Sequence, residues 1–219
     1  MSPLAEQLLT RLRAQASPRD AEGQRRFGIT TNCEHLGVRM PVMKALAKEH
    51  RRNHALALEL WASRVYEARL TAVFMDDPKL ADRAQLERWV ADCDNWALTD
   101  GCCIHHFRKT PFALECARAW VQRDEEFVRR AGFTLMATLA VHLKGEPEST
   151  FLAFLPAIRQ GALDERNFVI KAVNWSLRQI GKRSPVLRAA AIVEARRILD
   201  IDTKSARWAA RDALRELGS

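Results

Sequence analysis

The chain has 219 residues, 47% of them hydrophobic and 28% charged, enough for a sizeable core and ordinary in balance for a folded protein. Its net charge of +8 and pI of about 9.7 favour a polyanionic partner, nucleic acid first and an acidic protein second, without dictating a fold. No run approaches the roughly 18 apolar residues of a membrane span, and five cysteines, odd in number and lacking ligand spacing, are expected to be reduced thiols of a cytoplasmic protein, not a disulfide framework or a zinc site.

Nearly every segment has helical period, and alanine, leucine, glutamate and arginine, all good helix formers, dominate. The opening "MSPLAEQLLTRLRAQASPRD" contains acid and reads as a helix over 3–16, not a targeting segment. A loop containing Gly28 and Gly37 leads to Pro41, which opens a helix to about 50. Helices are then predicted over roughly 54–63, 66–75, 83–93, 96–108 and 111–122. Asp124 is expected to cap the long apolar stretch "EEFVRRAGFTLMATLAVHL", and helices over about 148–160, 164–181, 185–199 and 203–217 complete the chain.

Five prolines follow a capping side chain, in Ser2-Pro3, Ser17-Pro18, Asp77-Pro78, Thr110-Pro111 and Ser184-Pro185, the arrangement that starts helices. Ser17-Pro18 is the weakest of these starts, because glycine follows soon after. Long helices with short joints, paired at a spacing of roughly 35–45 residues, suggest an all-α solenoid of HEAT-like or armadillo type with a concave basic face, one domain over residues 1–219. A globular helix bundle is the alternative. The best internal echo joins "EEFVRRAGFTLMATLA" to "ERNFVIKAVNWSLRQIG", where an acidic start leads into Phe-Val, a basic residue and an alanine-centred face.

Residues 94–100, "DNWALTD", set Trp96 and Asp100 one helical turn apart in an otherwise basic chain. Asp94 or Asn95 can cap the helix, so Asp100 is not needed as a cap. A carboxylate beside an indole suits a cation, either a substrate or a transient charge formed during reaction. A structural pair is the other reading.

In "DERNFVIKAVNWSLRQIGKR", Lys171, Trp175 and Arg178, with Lys182 beyond them, form a basic stripe around an indole next to the apolar set Phe168, Ala172, Val173, Leu177 and Ile180. That pattern suits a phosphate-lined groove with an aromatic surface in it, or an anchor between repeats with a solvated basic face. Arg129 and Arg130 point about 100° apart on a helix, so one can enter a groove while the other stays outside, or both form a solvated pair flanking Phe127, Phe133 and Leu135.

In the C-terminal helix the apolar set is Ala206, Ala209, Ala213 and Leu214, with Trp208 beside it, and Lys204, Arg207, Arg211 and Arg215 line one side as a phosphate-facing ridge or a solvated face. Residues 164–219 hold twelve Lys or Arg against seven Asp or Glu, which concentrates five of the eight net positive charges there. Upstream, Glu67 can pair with Arg64 if one helix runs through both. Nucleotide loops, metalloprotease motifs and the serine hydrolase elbow are absent from the sequence, and no cofactor or metal is expected.

From about residue 27 to the end the chain resembles the AlkD-like DNA alkylation repair proteins, all-helical DNA glycosylases built from HEAT-like repeats. The stretches that carry the resemblance are "GVRMPVMKALAKEH", "YEARLTAV", "DNWALTDGCC", "EEFVRRAGF", "ERNFVIKAVNWSLRQIGKR" and "SARWAARDALREL". It implies a concave basic surface for duplex DNA, with Trp96 and Asp100 at the lesion, Trp175 facing them from a later repeat, and Arg130 near the lesion strand and its phosphates. It also implies removal of cationic bases such as N3-methyladenine and N7-methylguanine without extrusion of the base into a pocket.

The expectation is a monomeric, monofunctional glycosylase that leaves an abasic site. Asp100, Trp96 and Trp175 are its catalytic group, and Arg130, Arg129, Lys171, Arg178, Lys182, Lys204, Arg207 and Arg211 bind duplex DNA. The alternatives are a nucleic-acid-binding repeat protein without chemistry and a protein-interaction scaffold.

Overall fold

The computed structural model describes residues 1–218, which are helical apart from turns, loops and one isolated bridge between Glu34 and Val65. The chain divides into two compact units, Met1–Pro111 and Phe112 onward. The first contains α1 (Pro3–Arg13), α2 (Pro18–Arg26), α3 (Met40–Glu49), α4 (His54–Ala62), α5 (Tyr66–Met75), α6 (Arg83–Ala91), α7 (Trp96–His105) and a 3-10 turn, Phe107–Lys109. The second contains α8 (Ala113–Trp120), α9 (Glu126–His142), α10 (Glu148–Leu152), α11 (Leu155–Gly161), α12 (Asn167–Gly181), α13 (Pro185–Leu199) and α14 (Lys204–Leu217).

Three of the Ser/Asp/Thr-Pro pairs start helices. Ser2, Ser17 and Ser184 accept the N–H of Ala5, Asp20 and Leu187 at 3.3, 3.2 and 3.2 Å, freeing proline for the first turn, where its missing N–H is harmless. Ser17-Pro18, the weakest start by sequence, therefore opens a full helix, α2, and Gly23 within it meets nothing that a side chain would disturb.

The other two pairs open none. α6 begins at Arg83, capped by Asp82 on the Gln85 N–H at 2.6 Å. Thr110 donates its hydroxyl back to Phe107 O at 2.8 Å, and α8 starts without a side-chain cap. Nor does Asp124 cap α9: the N-cap is Glu125, and the Asp124 carbonyl accepts from Arg166 Nη1 at 2.6 Å. The helix expected over 148–160 is two, because Pro156 lacks the N–H that would carry the ladder from α10 into α11. Phe151 and Phe154 at the break meet edge-on at 6.0 Å inside the core.

In the second unit α9 and α12, the two segments of the sequence echo, pack on each other, and α12 also contacts α11, α13 and α14. Gly161 on α11 lies against the Phe133 ring, where a Cβ would come within 2.3 Å of Cζ, so glycine sets how closely α9 and α11 approach.

α5 is the buried axis of the first unit, in contact with α1, α3, α4 and α7. Three charged groups are buried with it. Arg69 Nη1 and Nη2 donate to Asp92 O and Oδ2 at 3.0 and 3.2 Å. Its guanidinium sits 5.1 Å from the Trp61 ring, which stacks on Trp89 at 4.1 Å. Asp76 has His54 Nδ1 at 2.7 Å, Gln85 Nε2 at 2.7 Å and His106 Nε2 at 2.8 Å. Burial works to raise its carboxyl, but His106, His54 and Gln85 hold it below the ordinary range.

Glu67 is fully buried, and its carboxylate accepts the backbone N–H groups of Leu36, Gly37 and Val38 at 3.0, 2.6 and 3.3 Å. The expected pair with Arg64 does not form, because the helix does not run through. Arg64 has φ +57 and α5 starts only at Tyr66. Since hydrogen bonds to a buried charge contribute about 1.5–3 kcal/mol, Glu67→Gln should lower unfolding free energy by about that amount in urea denaturation. A loss below about 0.5 kcal/mol, the size of an ordinary surface change, would mean that the loop is held by something else.

Candidate functional site

Trp96 and Asp100 are positioned by the loop that Glu67 holds and by α2. Ser17 N donates to Leu36 O at 2.8 Å, so the loop grips the start of α2. Gly37 has φ +75, and a Cβ there would sit 2.2 Å from Ser17 O, so only glycine permits the approach. On α2, Gln24 Oε1 lies 2.7 Å from His35 Nε2. At its end, the carbonyl of Phe27 accepts the Trp96 indole N–H at 3.0 Å.

The choice between Asp94 and Asn95 as cap of α7 resolves to Asn95, which accepts the N–H of Ala97 and Leu98 at 3.1 and 3.0 Å. Asp94 Oδ2 instead accepts the Thr31 hydroxyl and the Asn32 N–H, both at 2.7 Å, pinning the loop after α2 to the start of α7. Neither α2 nor this tie has a signal in the "DNWALTD" stretch itself.

Four residues apart on α7, Trp96 and Asp100 line one cleft of about 390 Å³. The rest of its wall is mostly apolar: Met40 and Met43 from α3, Tyr66, Leu70 and Phe74 from α5, and Gln24 and Ile29 from α2 and its loop. Asp100 and His105 are its titratable groups besides Tyr66. Burial, with help from Lys44, Lys109 and Arg108, pushes His105 down to about 4. It is neutral near pH 7 and meets Phe74 edge-on at 4.8 Å. Lys44 Nζ stands 5.4 Å from the centre of the same Phe74 ring. The cleft thus combines aromatic walls, one acid, a neutral imidazole and cations close by.

In the second unit the expected DNA-binding residues separate into two sets. Arg130 is 6% exposed and donates Nη1 to Phe168 O at 2.5 Å, a strut from α9 to the start of α12. Arg129 Nη1 lies 3.5 Å from Asp164. The sequence allows one of this arginine pair to reach a groove or both to be solvated; the structure ties both to the protein, and a phosphate contact from Arg130 requires its side chain to move.

Arg178 on α12 and Lys182 just past its end both pair with Glu216 of α14, Lys182 at 2.6 Å, and Arg207 pairs with Asp202 at 2.9 Å. Lys171, Lys204 and Arg211 are exposed and pair with no acid among the described residues. Trp175 is half-buried, and the Gln179 amide, turned so that its oxygen faces the indole, accepts the Trp175 N–H at 3.2 Å. The buried side of α14 is Ala206, Ala209, Ala210, Ala213 and Leu217, with Leu214 only half-buried. Trp208, 45% exposed, lies outside that side, among Lys204, Arg207, Arg211 and Arg215. Among the described residues no group of three or more His, Cys, Asp or Glu could hold a metal ion, and no helix is long and apolar enough to cross a membrane.

The depressed His105 pKa has a stability consequence. The unfolded chain takes up a proton near 6.5 and the folded one only near 4, so this contribution is present above pH 6.5 and is lost as pH falls toward 4. His35, whose pKa burial also lowers, adds in the same direction. The expected result is a lower Tm by circular dichroism at pH 4.5 than at pH 7.5, with a smaller drop in His105→Gln. An equal drop in the variant would remove His105 from the account.

Comparison with known proteins bears on this arrangement. No curated protein matches the sequence. A solved structure, described as "a new family of proteins related to the HEAT-like repeat DNA glycosylases with affinity for branched DNA structures", is similar with a TM-score of 0.79 at 21% identity, covering 96% of this chain and 93% of that one. The likeness shows the fold, an all-α arrangement of HEAT-like repeats. The family model for the DNA alkylation repair enzyme matches residues 8–217. The chain belongs to the DNA alkylation repair enzyme family.

Proposed function

We propose that the chain is a monofunctional DNA glycosylase that excises cationic N3- and N7-alkylated purines from duplex DNA and leaves an abasic site. The observation that carries this is the Asp100 carboxylate in the aromatic cleft beside Trp96, within a chain of net charge +8. A purine alkylated on a ring nitrogen is a cation and a good leaving group. As its glycosidic bond stretches, positive charge grows on the deoxyribose. A carboxylate held in a largely apolar wall stabilises that charge more than water would, and Asp100 can also orient the attacking water.

Trp96 presents its ring to the sugar, with its N–H already engaged by Phe27. The family resemblance adds Trp175 as a second sugar contact and Arg130 as a phosphate contact. No Schiff-base step is invoked, so no lyase product is expected.

The phosphate contacts fall first to Lys171, Lys204 and Arg211, which share no acid with the protein among the described residues. Arg129, Arg178, Lys182 and Arg207 stand behind them, because each must loosen an ion pair to reach DNA. The protein acts as a single 219-residue domain and a monomer in the cytoplasm, with duplex DNA as its partner. A second reading, affinity for branched DNA without base release, is favoured by the description of the similar solved structure; chromatography of bases released from methylated duplex separates the two.

Removing one preorganised electrostatic group lowers turnover by roughly 100- to 1,000-fold. Asp100→Asn should therefore release methylated bases that much more slowly while duplex affinity stays within a few-fold. Equal rates would remove Asp100 from the chemistry. Each phosphate contact contributes about 0.9 to the salt slope of duplex binding, so Lys204→Ala with Arg211→Ala should reduce the slope by about 2. An unchanged slope would move the DNA surface away from α14.

A further inference from the structure

α14 buries Ala206, Ala209, Ala210, Ala213 and Leu217. Its opposite side carries Trp208 among Lys204, Arg207, Arg211 and Arg215, around an open depression of about 510 Å³. Of the six tryptophans Trp208 is the exposed one. A ring that anchored one helix on another would point to the alanine side; this one has neither a ring nor a hydrogen-bond partner among the described residues. Two acids answer the four cations. Asp202 pairs with Arg207 at 2.9 Å and Asp212 with Arg215, while Lys204 and Arg211, one turn to either side of Trp208, pair with no acid among the described residues. At 1.5 Å per residue the ridge from Lys204 to Arg215 is about 16 Å long, the length of about five nucleotides of a stacked strand at roughly 3.4 Å each.

We propose that this side of α14 binds an unpaired stretch of DNA, with one base stacked on the Trp208 indole and the phosphates on either side of it on Lys204 and Arg211. Cations alone would serve the phosphates of a duplex equally well. The indole is what selects a single strand, because a paired base has both faces covered by its neighbours and an unpaired one offers a face to any flat ring. A second copy of the chain is a poor occupant, since two such ridges repel. The inference shares Lys204 and Arg211 with the duplex contacts proposed above, rests on the chain being a DNA-binding protein, and needs nothing from Asp100.

Fluorescence anisotropy of the full chain with a labelled oligothymidylate of about 12 nucleotides, within the roughly 4–16 of single-strand sites, and with a blunt duplex, tests it. Loss of stacking in Trp208→Ala should weaken oligothymidylate binding about 5- to 150-fold and leave duplex binding nearly unchanged. Trp208→Phe, which keeps a ring, should restore most of the loss. Both substitutions fall on an exposed position, where folding is little affected, and circular dichroism checks that it is intact. Lys204→Ala with Arg211→Ala should weaken both ligands.

No oligothymidylate binding at low salt, no loss in Trp208→Ala, or an equal loss on blunt duplex overturns the inference. So does tighter binding of oligouridylate, which makes the partner RNA, or equal competition by oligoglutamate, which makes it an acidic protein. If the Lys204 and Arg211 substitutions spare duplex binding while oligothymidylate binding falls, the duplex contacts on α14 are rejected and the single-strand site stands. If they weaken duplex binding and oligothymidylate does not bind at all, the single-strand site is rejected and the duplex contacts stand.

Discussion

The buried carboxylate of Glu67 is the constraint on which the first unit's site depends. A charge without water must be met by hydrogen bonds, and the ones it finds are the three successive amides of residues 36–38. That fixes a loop with no regular structure of its own. The loop accepts Ser17 N and lies against the start of α2 through Gly37. α2 then delivers the Phe27 carbonyl to the Trp96 indole and Gln24 to the cleft wall. One buried side chain on the central helix therefore sets, through three short links, where an aromatic ring stands some thirty residues further along.

The same economy of charge runs through the second unit. Of the cations on α12 and α14, several are matched by acids on the same two helices. Glu216 serves both Arg178 and Lys182, and Asp212 serves Arg178 and Arg215. These pairs hold α12 on α14 at the domain surface, where each contributes little by itself. They leave Lys171, Lys204 and Arg211 without an internal acid among the described residues. A count of basic residues therefore overstates the charge available to a polyanion, while the exposed Trp208 among the α14 cations adds an aromatic surface that such a count would miss.

Much of the architecture was legible because it is local. The period-3.6 pattern gave α3 to α9 and α12 to α14 to within a few residues, and the echo between the α9 and α12 segments marked two helices that pack on each other. α2 was missed because its sequence, "PRDAEGQRR", buries only Ala21 and so carries almost no apolar stripe. It is held at its two ends by capping and by loop contacts instead. The break at Pro156 comes from its missing N–H, whereas the idle pairs at Asp77-Pro78 and Thr110-Pro111 show that a capped proline permits a helix start without requiring one.

By itself the sequence determined the helical fold, the basic balance and the one-turn spacing of Trp96 and Asp100 on α7, since propensity, charge and periodicity are properties of the chain. The tertiary structure alone decided that Asn95 and not Asp94 caps α7, that Glu67 serves a loop instead of Arg64, that Arg130 is a buried strut, and that a cleft exists beside Asp100. Each of those depends on which distant backbone groups arrive within hydrogen-bonding reach, and residue spacing along one helix carries no record of that.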